Sequence, residues 1–284
     1  MFLFASKKSI GKEFIFRNES YYVKDIDFNS FKGIDFVFFC AGSDVANKWV
    51  NYALEAGCFV IDNSSYFRMR DDVSLVIPEV NFSNVNKLIA NPNCSTIQSV
   101  ICLNALKEYG IKRVIYTTYQ AVSGSGMKGI NALENKNDNF YPYNISKTCI
   151  PQIDIFLDNG YTKEEMKMVM ETRKILSLPN LDVSATCVRV PVMNSHAVSV
   201  VVELEQYCSL EMIREAFRKQ DGLVLLEDYP TSIHANGSDL VYVGRVRNDL
   251  SKPNSFLFYC VADNIRRGAA SNAVKIALKI IENL

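Results

Sequence analysis

Short, continuous apolar runs, each closed by polar or turn-forming residues, mark the first third of the chain: residues 2–4, 34–40, 58–61, 75–77 and 88–90. Apolar runs without alternation predict strands buried on both faces. Between two of them, residues 45–56 predict a helix, and strands alternating with helices predict a parallel α/β sheet. After Cys94, the residues Ile97, Val100, Ile101, Leu103 and Leu106 keep helical spacing up to Gly110. The pattern then changes. Strand-like segments at 114–122, 183–192, 197–205, 224–226, 240–246 and 256–261 follow one another with fewer helices between them, which predicts an α+β second domain with a largely antiparallel sheet. Residues 268–283 carry Ala270, Ala273, Val274, Ala277, Leu278 and Ile281 at helical spacing and are expected to pack back on the first domain.

Composition narrows the function classes. The chain has 284 residues, 48% hydrophobic and 22% charged, enough for one large or two modest cores, so disorder is excluded as the starting view. Lys and Arg total 31, as do Asp and Glu, so no basic footprint for nucleic acid or an anionic membrane exists, and small-molecule chemistry is favoured. Eight cysteines are scattered singly, with no CxxC pair, and the chain has only two histidines, which argues against zinc and against a disulfide framework. Met1–Phe4 is too short for a signal h-region and no run approaches a membrane span, so a reducing, cytoplasmic protein is expected.

The strongest local motif is Asn91-Pro92-Asn93-Cys94-Ser95-Thr96, a polar turn between the apolar run 88–90 and a helix. It places Cys94 at a helix N-terminus, where unpaired amides and the helix dipole favour the thiolate. A nucleophile there should be alkylated before the other cysteines, although a buried structural cysteine in a capped turn fits the same pattern. The only histidines to serve it are His196, before a β-rich run, and His234, in the loop 232–237. Thr162 and Glu165 have capping-box spacing. Glu164, Lys167 and Glu171 share one face of the helix that follows, which on spacing alone reads as a solvated, salt-bridged surface. A literal GxGxxG at Gly124–Gly129 lies in mid-chain, with no acidic residue closing a second strand at the required distance. It reads as a flexible loop near a ligand, not a dinucleotide fingerprint.

Taken together, these segments resemble the aspartate-semialdehyde dehydrogenase family over essentially the whole chain. The matching stretches are residues 5–11, 61–65 with 67–69, 76–81, 91–96, 119–124, 164–172, 189–196 and 263–270. The resemblance implies an α/β plus α+β protein: a Rossmann-type nucleotide-binding domain, residues 1–93 plus 266–284, and a catalytic and dimerisation domain, residues 94–265, built on a mixed or antiparallel sheet. It implies NADPH-dependent reduction of L-aspartyl-4-phosphate to L-aspartate-4-semialdehyde with release of phosphate, through a thioester on Cys94, in the synthesis of lysine, methionine and threonine. A homodimer or dimer of dimers is implied as well.

On the matched positions, Gln120 orients the acyl intermediate and His196 is the acid/base. Arg189 holds the substrate carboxylate by a planar fork and Glu164 holds its α-amino group. Lys167 and Arg68 supply cations to the phosphate site, with Asn93 beside the nucleophile, and Arg70 is the neighbour that falls outside the match. Ser6, Lys7, Lys8 and Ser9 lie near the adenosine 2′-phosphate of NADP, and Ser123, Gly124 and Asn264 near the nicotinamide. Lys8 stands where arginine is usual, and Ser195 and Ala197 where glycine and serine are. N-acetyl-γ-glutamyl-phosphate reductase, with a different Asn-Pro-Gly-Cys context, is the alternative enzyme, and an inactive truncated homologue the alternative outside catalysis. In the family a strand, a glycine-rich turn and a helix, roughly 30–35 residues, precede the segment that here begins at residue 5. The expectation is therefore an N-terminally incomplete nucleotide-binding domain, poorly soluble or marginally stable, without measurable NADPH binding or activity.

Overall fold

The computed structural model describes every residue except 84–85 and 136–138. The chain opens with β1 (Leu3–Phe4), β2 (Glu13–Phe16) and β3 (Glu19–Lys24), which form a small sheet of order β1-β3-β2. The β2–β3 hairpin is absent from the hydrophobic pattern because its tight turn uses Arg17 and Asn18, both at positive φ (51° and 64°), with no glycine to announce it. Phe14, Ile15 and Phe16 of this sheet, and Phe2 just before it, are more than half exposed.

The expected parallel sheet follows. Strands β4 (Phe36–Phe39), β5 (Phe59–Asp62), β6 (Ser74–Leu75) and β7 (Leu88–Ala90) pair in the order β4-β5-β7-β6, all parallel. Helix α1 (Ser43–Glu55) makes the first crossover and buries Ala46, Trp49, Val50 and Ala53. The run at 75–77 ends as a strand at Leu75 because Pro78 opens the short helix α2 (Pro78–Asn81). The Asn81 side chain then takes the sheet's role, accepting from the Ile77 amide at 2.9 Å and donating to the Leu75 carbonyl at 2.8 Å.

Helix α3 (Cys94–Asn104) buries every residue from Ser95 to Leu103 and joins the two halves of the molecule. Its Ile97, Val100 and Ile101 belong to one continuous core that runs from Val60 and Leu88 to Val200 and Phe258. The second half is a six-stranded sheet of order β11-β12-β13-β10-β8-β9, from β8 (Ile111–Gln120), β9 (Asp182–Arg189), β10 (His196–Leu204), β11 (Leu223–Leu225), β12 (Val241–Asn248) and β13 (Ser255–Ala262). It is mixed. The centre is antiparallel, but β8 pairs with β9 and β11 with β12 in parallel, because long connections return those chains to the same end.

Residues 124–129 are not a flexible loop. They complete a 3-10 turn and open helix α4 (Gly126–Glu134). Gly129 is required there by packing, since a Cβ would lie 2.3 Å from the Val122 carbonyl oxygen. Helix α5 (Lys163–Leu176) crosses from β8 to β9, and its acidic face is not solvated: Glu164, Glu165 and Glu171 are all buried. Helix α6 (Leu210–Lys219) is hidden from the pattern because only Ile213 and Phe217 are apolar and buried within a charged sequence. The short α7 (Ser232–Ala235) carries His234, and α8 (Ser271–Glu282) packs Ala273, Ile276, Ala277 and Ile280 on Ile61 and Ile89 of the parallel sheet and on Val76 just past β6, as expected.

The start of α5 rests on a reciprocal cap. Thr162 Oγ1 accepts from the Glu165 amide at 3.3 Å, and Glu165 returns Oε2 to the Thr162 amide at 2.7 Å while Oε1 accepts from the Cys187 amide of β9 at 2.9 Å. Thr162 is wholly buried, so no water replaces its hydroxyl. Thr162→Ala is expected to lower the unfolding free energy by about 1–2 kcal/mol in urea titrations, with Thr162→Ser recovering most of it. An unchanged midpoint would show that packing alone holds this helix start.

Candidate active site

Cys94 is the first residue of α3, as its motif predicts. Asn93 is the N-cap, with extended backbone and its Oδ1 accepting from the amides of Ser95 (2.9 Å) and Thr96 (3.3 Å). The opposite wall is a π-helical turn, Arg266–Ala270, which leads into α8. Gly268 lies so close that a Cβ there would sit 2.6 Å from the Cys94 Cβ, so only glycine fits. The turn is anchored by Arg267, wholly buried and paired with Glu79 of α2 at 2.8 Å, while Lys275 reaches the other Glu79 oxygen at 2.7 Å. Burial alone would raise the Glu79 carboxyl, but these two cations hold it below the usual range.

The electrostatics of Cys94 correct the expected thiolate. Burial pushes the thiol up, the Glu164 carboxylate adds to this, and the opposing Arg68 and Arg189 charges and the Ser95 amide do not offset it, so the pKa is pushed up to about 11. The helix N-terminus loses the contest because desolvation is the larger effect in a partly buried site and Asn93 already occupies the nearest amides. In the ligand-free protein Cys94 is a thiol at neutral pH, and preferential alkylation there is not expected.

One face of α5 organises the floor. Glu164 Oε1 accepts from Asn93 Nδ2 (2.9 Å) and Gln120 Nε2 (3.2 Å), and Oε2 meets Lys167 Nζ at 3.1 Å. Burial would raise the Glu164 carboxyl, but the Lys167 charge and the bonds from Asn93, Gln120 and Lys167 together hold it below the usual range. Lys167 also reaches Asp154 at 3.0 Å and keeps a quarter of its side chain exposed. A turn further on, Glu171 Oε1 pairs with Arg68 Nη1 at 3.0 Å and its Oε2 accepts from the Asn93 amide at 2.7 Å. Arg68 is buried, whereas Arg70 pairs with Asp72 on the surface, which separates the two neighbouring arginines.

Gln120, Arg189 and His196 lie at the same end of the second sheet, where Gln120 of β8 pairs with Arg189 of β9 and Tyr119 with Ala197 of β10. The Ala121 peptide orients two of them: its N–H donates to His196 Nδ1 at 3.0 Å and its carbonyl accepts from Arg189 Nη1 at 2.6 Å. His196 is wholly buried, and burial together with the Arg189 charge holds its pKa well below the ordinary value. Because Nδ1 accepts, the neutral ring carries its proton on Nε2, which has no partner among the described residues. Gly124 lies over both residues: a Cβ would stand 3.0 Å from Arg189 Nη1 and from His196 Nε2.

Beside them, Asn264 Oδ1 accepts from the Ser195 amide at 2.9 Å and its Nδ2 donates to Ser123 Oγ at 3.0 Å. Ser195, where the resemblance leads one to expect glycine, is held at φ 73°. Ser6, Lys7, Lys8 and Ser9 stand apart from this cluster. They form an exposed 3-10 turn after β1, with Ser6 at its N-cap and no bond to Cys94, Ser123 or Asn264. His234 is exposed and, among the described residues, engages Thr231 and Tyr242. Among the described residues no cluster of His, Cys, Asp and Glu could hold a metal, and no helix is long and apolar enough to cross a membrane.

Sequence reasoning missed Glu171, Arg267, Gly268 and Ala121 as parts of the site. The i, i+7 spacing of Glu164 and Glu171 was the available signal for the first. Ala121 acts only through its backbone and leaves none.

Two family models match the chain: the semialdehyde dehydrogenase NAD binding domain over residues 1–88 and the semialdehyde dehydrogenase dimerisation domain over residues 103–267. The expectation of an incomplete nucleotide-binding domain is thus met only in part, since that domain is matched from residue 1, and the family match favours an active enzyme over the expected loss of cofactor binding and activity. The aspartate-semialdehyde dehydrogenase of Campylobacter jejuni is 43% identical over 98% of this chain and 88% of its own length, and that of Aquifex aeolicus 44% identical over 99% and 89%. The crystal structure of aspartate semialdehyde dehydrogenase II from Vibrio cholerae, complexed with ASA, superposes with a TM-score of 0.94 at 43% identity, covering 99% of this chain and 89% of that one. The chain belongs to the aspartate-semialdehyde dehydrogenase family of nicotinamide-dependent oxidoreductases.

Proposed function

We propose that the chain reduces L-aspartyl-4-phosphate to L-aspartate-4-semialdehyde with NADPH, on the route to lysine, methionine and threonine in the cytoplasm. The observation that carries this reading is the convergence of two buried guanidiniums, Arg68 and Arg189, on a helix-start cysteine. Two fixed cations suit a substrate that is anionic at both ends, with Arg189 for the carboxylate and Arg68, joined by Lys167, for the phosphate. Glu164 offers a carboxylate for the α-amino group, and Asn93 and Gln120 keep it oriented.

Cys94 Sγ attacks the acyl carbon, the bond from that carbon to the phosphate oxygen breaks, and the departing phosphate takes the thiol proton. This order needs no prior thiolate. The nicotinamide, when bound, supplies a hydride to the thioester carbon. His196 then donates its Nε2–H hydrogen bond to the oxygen that gains charge, as a neutral ring can. Collapse breaks the C–S bond, releases the aldehyde and leaves a Cys94 thiolate that regains a proton from water.

The residues present fit NADP. Lys7 and Lys8 are exposed cations on a turn closing β1, suited to a 2′-phosphate, although Lys8 is a point charge where a guanidinium fork is usual. Ser123, Gly124 and Asn264 adjoin His196 and suit the nicotinamide end. We assign residues 1–93 plus 266–284 to cofactor binding and 94–265 to catalysis and dimerisation, in a homodimer or dimer of dimers.

Cys94→Ala is expected to abolish phosphate-dependent NADP reduction with aspartate semialdehyde while leaving the circular dichroism spectrum unchanged. Turnover within about tenfold of the parent would refute the nucleophile. Arg189→Lys is expected to lower kcat/KM by roughly 10²-fold, since one ammonium cannot make two parallel bonds to a carboxylate and also hold the Ala121 carbonyl. An unchanged kcat/KM would show that Arg189 does not clamp the substrate.

A further inference from the structure

Arg68 lies in residues 63–73, a connection without strand or helix, held locally by the turns Arg70 N–H to Phe67 carbonyl and Val73 N–H to Arg70 carbonyl, both 3.2 Å. Such a segment does not by itself fix a guanidinium to the tolerance a substrate anion needs. The fixing comes from α5. Lys174 Nζ donates to three carbonyl oxygens of this one segment, those of Arg68 (2.8 Å), Arg70 (2.7 Å) and Val73 (2.9 Å). One turn earlier on the same helix face, Glu171 takes the Arg68 side chain, whose other terminal nitrogen donates to the Asn63 carbonyl at 2.8 Å. The second Glu171 oxygen binds the Asn93 amide, next to the nucleophile.

We infer that Lys174, with Glu171, is a positioning residue that sets Arg68 in register with Cys94 for recognition of the substrate's phosphate; this rests on the phosphate role proposed for Arg68. An ammonium has three N–H donors, and here all three point at main-chain carbonyls, so Lys174 has none left for a ligand. It acts by holding the backbone of the loop, while Glu171 holds the side chain. Residues 164, 167, 171 and 174 thereby make one rail along α5: Glu164 orients Asn93 and Gln120 and pairs with Lys167, while Glu171 and Lys174 hold Arg68.

Inorganic phosphate is the probe. The rate of Cys94 carbamidomethylation by iodoacetamide, read on its peptide by mass spectrometry at fixed pH, is measured against phosphate concentration, which needs no cofactor. Lys174→Met and Lys174→Gln are expected to raise the phosphate concentration for half-protection by roughly tenfold or more. Their rates without phosphate should stay within about threefold of the parent, and Lys174→Arg should restore most of the protection. An unchanged half-protection in a folded Lys174→Met protein overturns the inference. Failure of both uncharged variants to fold would mark Lys174 as a structural strut only and overturn it as well. Arg68→Met separates the two layers: if it shifts protection and Lys174→Met does not, only the positioning role fails. If phosphate does not protect the parent, or protects Arg68→Met equally, the phosphate reading fails and the positioning role falls with it.

Discussion

A carboxylate taken out of water must be matched by donors and charge or it destabilises whatever buries it. Glu164 meets that condition at the junction of three elements, with Asn93 from the start of α3, Gln120 from the end of β8 and Lys167 from its own helix. Each partner is fixed by having to serve this one group. Asn93 in turn caps the helix that begins with Cys94, so the carboxylate and the nucleophile share a scaffold. Glu171 repeats the device with Arg68 and the Asn93 main chain. Removing either acid would leave buried donors without partners and loosen the nucleophile's own cap.

The same carboxylate tunes the chemistry. Glu164 and burial together hold Cys94 as a thiol against two guanidiniums, and His196 is held neutral by burial and by Arg189. A site of neutral reacting groups ringed by fixed charges suits an anionic acyl phosphate, whose leaving group can remove the thiol proton itself. It also protects the cysteine from adventitious electrophiles while no substrate is bound.

Much of this was legible in the sequence. The helix start at Cys94 followed from the Asn-Pro-Asn turn, and the α5 capping box from Thr162 and Glu165, because both are local hydrogen-bond patterns. The buried acidic face of α5 was not. Spacing alone made Glu164, Lys167 and Glu171 a solvated surface, and only tertiary partners on α3, β8 and the 63–73 loop make burial tolerable. The thiol state of Cys94 was misjudged for the related reason that a helix N-terminus is visible in sequence and desolvation is not. The β2–β3 hairpin escaped because Arg17 and Asn18 give no turn signal, and Gly124–Gly129 looked flexible because the close contacts that require Gly129 come from Val122 and Tyr141.

The most direct test of this account is the pKa of Cys94 in the ligand-free protein, read from the pH dependence of its alkylation, in the parent and in Glu164→Gln. A thiol whose pKa is pushed up to about 11 should react faster with each step in pH through the whole alkaline range, and loss of the Glu164 charge should move the inflection downward. A plateau already reached at neutral pH in the parent, or an inflection that stays in place when Glu164 is neutralised, would contradict the claim that burial and the Glu164 charge together hold the nucleophile as a thiol.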